Sequence, residues 1–352
     1  MNRATAGLSS RDRGRGLVVG GLVGAGCCTA FLKAWRRNPC GALKDGGRRL
    51  VVQVDAGGGD RLALAVLAQY RMATTGQVHV LVAPGVRIEQ TRRRLVKLRA
   101  EGLIERITLP QAGRMRVWYP TAFGVQVASE WPELRGRRPP RLASDSTAAR
   151  LRAGHTLAVT ETGLAFVQDA RRLGDTCHPL DWIPEVHHSL GAGEAVIPDA
   201  LLYYRHGKRG RGSMLRAFVE IDRATMGPER LAAKIGAYAR LHDYVPAPPV
   251  GRRPAPGEPA PMEGWRHHYP LFPRLLFVLD HVGPRGIETR IDALHAAAGN
   301  PALTTFLHTV PVLAAPLTDI LHSGPSEPVW RPVHTPNQRV PWTTSAANLT
   351  VQ

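Results

Sequence analysis

The chain has 352 residues, and 46 lysines and arginines against 28 aspartates and glutamates give it a formal charge of +18. At roughly 100–200 residues per domain the length predicts about two domains, and so basic a chain points to a polyanionic partner, nucleic acid ahead of an anionic membrane. A hydrophobic share of 43% excludes a polytopic membrane protein and a wholly disordered chain, and four cysteines without C-x-x-C spacing exclude a disulfide scaffold and a paired-cysteine zinc site.

Residues 1–59 read as a flexible leader or as the product of a start codon placed too far upstream. Arg11, Arg13 and Arg15 precede an apolar run at 17–32, and Lys33, Arg36 and Arg37 follow it. The run is shorter than the roughly 20 residues of a spanning helix, although it has the make-up of an export signal. The expectation is a cytoplasmic protein without stable membrane association. A membrane-tethered protein using this run is the competing reading.

Order is expected from Asp60, a candidate N-cap for a helix carrying Leu62, Val66, Leu67, Tyr70 and Met72. Thr74, Thr75, Gly76 and Gln77 open a second, short helix that Pro84 and Gly85 stop. A third runs over about 87–101, with Ile88, Leu95, Val96 and Leu98 as its narrow apolar face and Gly102 as its stop. Strands are expected at 103–109 and 115–119, with a turn at 110–113. Three helices and a basic hairpin is the order of a winged helix-turn-helix. Gln90, Thr91, Arg92, Arg93, Arg94, Lys97 and Arg99 would face the major groove of double-stranded DNA, and Arg106, Arg114 and Arg116 its phosphates. The plainer alternatives are a basic solvated helix in an unrelated bundle and a winged helix used for protein contacts.

A basic linker at 135–145 separates this head, residues 60–134, from a second domain at 146–323; residues 324–352 read as a tail. The second domain begins with a helix over 146–173. Strands follow at 182–190, 194–204 and 214–221, then a helix over 227–242. A Pro-rich insertion at 245–264, a strand at 274–280, a helix over 286–298 and an apolar stretch through Leu313 complete it. The fold class is therefore α+β, a winged helix followed by a mixed α/β domain.

The strand ends carry acids. Asp199 starts one strand, and Glu220 and Asp222 end the next, so a hairpin can bring them together. Paired carboxylates suit Mg²⁺, and the metal ligands expected are Asp199 and Glu220. Pro198-Asp199 followed by Glu220-x-Asp222 resembles the PD-(D/E)-x-K arrangement of restriction-endonuclease-like nucleases. The departure is Asp222, which stands where that motif has lysine. Lys234, on the following helix, is the candidate substitute, and Glu185 could complete the acidic cluster; Lys234 also reads as a snorkelling surface lysine. The catalytic set is thus Glu185, Asp199, Glu220, Asp222 and Lys234, for a Mg-dependent DNA endonuclease or nickase. The alternative is an inactive relative whose carboxylates are held by arginines. The adjacent pairs His187-His188 and His267-His268 do not chelate readily on a strand, where neighbours face opposite ways.

An ordered series of segments resembles the replication-relaxation family: residues 64–79, 94–104 and 118–124, then 154–159, Pro198-Asp199-Ala200, and 218–225 with Lys234 and Tyr238. The resemblance covers roughly 60–245 and leaves 1–59 and 324–352 unmatched. It implies a plasmid or mobile-element protein of replication or DNA relaxation, with replication or mobilisation proteins as partners. Beside it stands a non-catalytic DNA-binding regulator that uses its second domain for protein contacts.

Overall fold

A computed structural model describes residues 42–45, 48–51, 58–109, 113–137, 146–207, 212–247 and 262–349. The apolar run at 17–32 lies outside the described residues, as do most of the linker and of the Pro-rich insertion. Among the described residues no helix is long and apolar enough to cross a membrane. Within the span expected as leader, β1 (Ala42–Asp45) and β2 (Arg48–Val51) form an antiparallel hairpin of their own.

The head contains α1 (Gly59–Tyr70), β3 (Ala73–Thr74), α2 (Thr75–Val82), α3 (Ile88–Ala100), β4 (Ile104–Leu109), β5 (Met115–Pro120) and α4 (Ala122–Ser129). Its three strands form an antiparallel sheet in the order β3-β5-β4. Asp60 is not the cap of α1. That position is Gly58, with φ 101°, and Asp60 is buried inside the helix, with Arg94 Nε at 2.9 Å and Lys97 Nζ at 2.8 Å. A buried carboxylate needs such partners, and α3 supplies both. Helix α2 starts with a capping box: the Gln77 N–H donates to the Thr74 hydroxyl, and the Thr74 N–H donates to Gln77 Oε1. Gly102, at φ 72°, terminates α3 as expected. Gly124 on α4 passes so close to the chain that an added Cβ would sit 1.9 Å from the Leu103 carbonyl oxygen.

The body is built on a six-stranded mixed sheet in the order β13-β12-β11-β10-β9-β6. Its strands are β6 (Trp182–Pro184), β9 (Ala200–His206), β10 (Ser213–Asp222), β11 (Arg274–Leu279), β12 (Val312–Pro316) and β13 (Arg331–Pro332). Strands β6, β9 and β10 are antiparallel neighbours, β10, β11 and β12 run parallel, and β13 returns antiparallel. A separate hairpin joins β7 (His188–Gly191) to β8 (Glu194–Val196). The strand expected at 182–190 is broken because the chain turns at Glu185, φ 49°. The one expected at 194–204 is broken after Val196, where Pro198 offers no N–H to a ladder.

Side-chain alternation assigns the two faces of this sheet. Leu202, Tyr204, Ala217, Val219, Ile221, Leu276 and Val278 pack with α5 (Ser146–Leu173). Leu201, Phe218, Leu275 and Phe277 pack with α6 (Pro228–Asp243), α7 (Pro284–Ala298) and α8 (Thr304–Thr309). The segment expected to be a tail instead completes the structure. After α9 (Leu317–Ser323) it contributes β13, the fully buried Trp330 and Trp342, and α10 (Ala346–Leu349). Its indole rings close on Phe166, 6.5 and 5.3 Å away between centroids.

Head and body share a hydrophobic cluster that includes Leu64, Leu95 and Trp118 from one and Phe166, Trp182 and Leu202 from the other. Polar contacts line the same junction. The Gln69 amide donates to the Leu180 and Trp182 carbonyls, the Tyr70 hydroxyl to the Pro179 carbonyl, and the Thr160 hydroxyl to the Met72 carbonyl. Phe166→Ala is expected to cost about 3–5 kcal/mol. In urea titrations, far-UV circular dichroism and tryptophan fluorescence are expected to shift together to a lower midpoint; separate transitions would contradict the shared core.

Candidate functional site

Two features carry chemistry, the exposed side of the head and the acidic end of β9 and β10. On α3, Leu95 and Leu98 are buried as expected, and Thr91 joins them. Thr91 sits one turn before Leu95, so it faces inward, 3.0 Å from His79 Nδ1; it is not a base-facing side chain. Val96 is the converse case. One residue on from Leu95 turns it about 100° away, and it is 59% exposed.

Gln90, Arg92, Arg93, Lys97 and Arg99 lie on the exposed side. Arg92 pairs with Glu89 at 3.0 Å and Arg99 with Glu105 at 3.1 Å, while Arg94 and Lys97 reach Asp60. On the hairpin, Arg114 and Arg116 are exposed, and the Arg106 guanidinium lies over the Trp118 ring, 5.5 Å from its centroid. Nine of the ten head residues named from the sequence therefore keep some exposure, and Thr91 does not.

The acidic end is assembled by strand register. Ala200 pairs with Val219, which sets Asp199 opposite Glu220. Asp199 Oδ2 accepts from the Ile221 N–H at 2.7 Å, and its Oδ1 lies 2.9 Å from His155 Nε2. Glu220 is buried and accepts from Lys234 Nζ and the Tyr238 hydroxyl, each at 2.5 Å. Lys234 and Tyr238 are four residues apart on α6 and so share the face turned to the sheet.

Burial pushes the Glu220 carboxyl above its ordinary range, against the pull of Lys234. Burial alone would lower the Lys234 ammonium, but Glu220 and Asp199 hold it raised. The hydrogen bond that its ring N–H gives to Asp199 raises His155. Carboxylate and ammonium are thus mutually dependent: without either, the other is a poorly solvated charge.

Two expected members are turned elsewhere. Asp222 is buried in an ion pair with Arg290 of α7 and accepts from the Ala224 N–H at 3.1 Å. Its charge is neutralised from within the fold. Glu185 lies across from Asp199, and its N–H donates to the Asp199 carbonyl at 3.3 Å. Its carboxylate, however, leaves the sheet to pair with Arg71. The structure therefore brings together Asp199, Glu220 and Lys234, and adds His155 and Tyr238. His155 has only a weak sequence signal, a polar residue on a long apolar helix 44 positions from its partner.

Among the described residues no three of His, Cys, Asp and Glu are placed to hold a metal ion. Asp199 and Glu220 alone offer hard oxygens, and Mg²⁺ is commonly held by one or two carboxylates with water and phosphate completing its shell. Their oxygens are of the type that ion takes, and each of the four already has a partner within the chain.

A family model described as Replication-relaxation matches residues 64–251, which includes the head from the middle of α1 onward and the whole Asp199–Glu220–Lys234 cluster. No curated protein and no solved structure matches the chain.

Arg290→Met is expected to destabilise the fold by about 3–5 kcal/mol, because it strands Asp222, whereas Asp199→Asn costs less than about 1.5 kcal/mol. Chemical denaturation of both variants checks this, and equal costs would contradict it. The His155–Asp199 contact has a pH signature. His155 has a raised value in the folded state, so its contribution is complete below about 6.5 and is lost as pH rises through the folded value. His155→Gln is expected to flatten stability against pH in that window.

Proposed function

Since the chain belongs to the replication-relaxation family, we propose that it acts in the replication or relaxation of plasmids or mobile elements, binding duplex DNA and nicking it with Mg²⁺. In this reading the head is a winged helix that places α3 in the major groove and the β4–β5 hairpin on phosphates. The body is a restriction-endonuclease-like domain. The exposed Gln90, Arg92, Arg93, Lys97 and Arg99 support the first half, since long donors on one helix side suit base edges and phosphates.

The observation that carries the second half is Lys234 against Glu220 at 2.5 Å, with Asp199 across the strand pair. Aspartate, glutamate and lysine are the three residue types of the motif, and α6 supplies the lysine that the strand lacks at Asp222. When bound, Mg²⁺ would polarise a phosphodiester and acidify a water molecule. The chain's own groups do the rest. Lys234 brings positive charge toward a phosphate that gains negative charge, Tyr238 fixes Glu220, and His155 holds the Asp199 carboxylate in place.

A second reading has its own observation. Asp199, Glu220 and Asp222 each already have a cationic or N–H partner. A non-catalytic regulator, using the body to contact replication or mobilisation proteins, needs nothing more.

Supercoiled plasmid with Mg²⁺ separates the two. Nicking by the wild type, absent in Asp199→Ala and reduced about 10²–10³-fold in Lys234→Met, is the expected result. Plasmid left equally intact by wild type and Asp199→Ala favours the regulator. Duplex binding is expected to weaken steeply with salt, and Arg92→Ala/Arg93→Ala to lower the slope by about 1 per lost phosphate contact. An unchanged slope would move the DNA surface away from α3.

A further inference from the structure

A cavity of about 450 Å³ opens where the head meets the sheet edge. Its wall includes Arg71 at the end of α1, Glu185 after β6, Leu201 and Tyr203 on β9, and His268 and Tyr269 before β11. It has the make-up of a ligand site, mostly apolar with a few placed polar groups.

Three observations narrow the occupant. Tyr203 offers an aromatic ring, held in place by the Arg216 guanidinium 5.3 Å from its centroid. Arg71 and Glu185 form an ion pair at the wall, and the Glu185 side chain stays 41% exposed, so its carboxylate can still accept. Both residues of that pair have left-handed backbones, φ 70° and 49°, which only the surrounding fold can maintain in non-glycine residues. Such strain concentrates at ligand clamps. A planar ring with amino groups at its edge satisfies the tyrosine and the carboxylate together.

Position supplies the rest. Leu201 is two residues from Asp199, about 6–7 Å of extended chain. A polymer whose phosphate lies at Asp199 and Glu220 therefore passes beside the cavity mouth. We infer that this cavity takes an unstacked nucleobase from the strand engaged at the acidic site. The inference rests on the DNA reading above and adds a binding site to it. The base leaves its stack to enter, as in enzymes that act on extruded nucleotides.

The test uses the full chain and two probes. Free 2-aminopurine 2′-deoxyriboside, whose fluorescence falls on stacking, reports on the cavity alone; filter binding of supercoiled plasmid reports on the DNA surface. Expected is saturable quenching at about millimolar concentration, abolished in Tyr203→Ala and weakened at least about fivefold in Glu185→Gln, while plasmid still binds both variants through the unchanged cations of α3 and the hairpin. Circular dichroism confirms that each variant folds, and Glu185→Gln serves if Tyr203→Ala does not. Absence of quenching by the wild type up to about 10 mM overturns the base site, whether or not plasmid binds. So does quenching that survives both variants. Variant-sensitive quenching without plasmid binding keeps the base site and overturns the DNA reading instead.

Discussion

Along its 28 residues α5 turns Ala149 and Ala153 toward the β4–β5 hairpin, the Thr160 hydroxyl to the carbonyl of Met72, and Phe166 to Trp182, Trp330 and Trp342. At about 1.5 Å per residue it spans roughly 40 Å, enough to underlie both sheets. Near its end Arg171 donates to the carbonyls of Val80 and Leu81, which ties it to α2. His155, in the same helix, meets Asp199. The position of the acidic cluster relative to the head therefore depends on the burial of this helix, which fixes both ends.

The charge distribution follows from the same packing. The chain is strongly basic overall, yet three of its buried acids are compensated from other elements: Asp60 by Arg94 and Lys97, Glu220 by Lys234, Asp222 by Arg290. Each pairing brings distant elements into register, because an unpaired charge in that environment is unstable. On the outer side of the head Arg93, Arg114 and Arg116 are exposed on α3 and the hairpin.

What the sequence showed depended on distance along the chain. Thr74 to Gln77 announces a helix start because capping is local, and the Asp199–Glu220 juxtaposition was legible because one hairpin connects the two strands. Asp222 was not legible, since its partner Arg290 arrives 68 residues later. Glu185 was misplaced for a related reason: a positive φ in an apolar run has no periodic signature, and Arg71 lies 114 residues away. Thr91 and Val96 exchange places because hydrophobicity alone does not define the face, whereas the spacing to Leu95 and Leu98 does. The residues after Ser323 read as a tail since Trp330 and Trp342 are isolated in a polar stretch, and these rings are buried against Phe166.

The junction between head and body has one more consequence. Arg171, Gln69, Tyr70 and Thr160 cross it on short polar bonds over a common apolar core, which ties head to body among the described residues. In a duplex spanning α3 and the acidic end, the adjustment would therefore fall on the double helix itself. Sites with soft pyrimidine–purine steps would then be preferred even at positions no side chain touches.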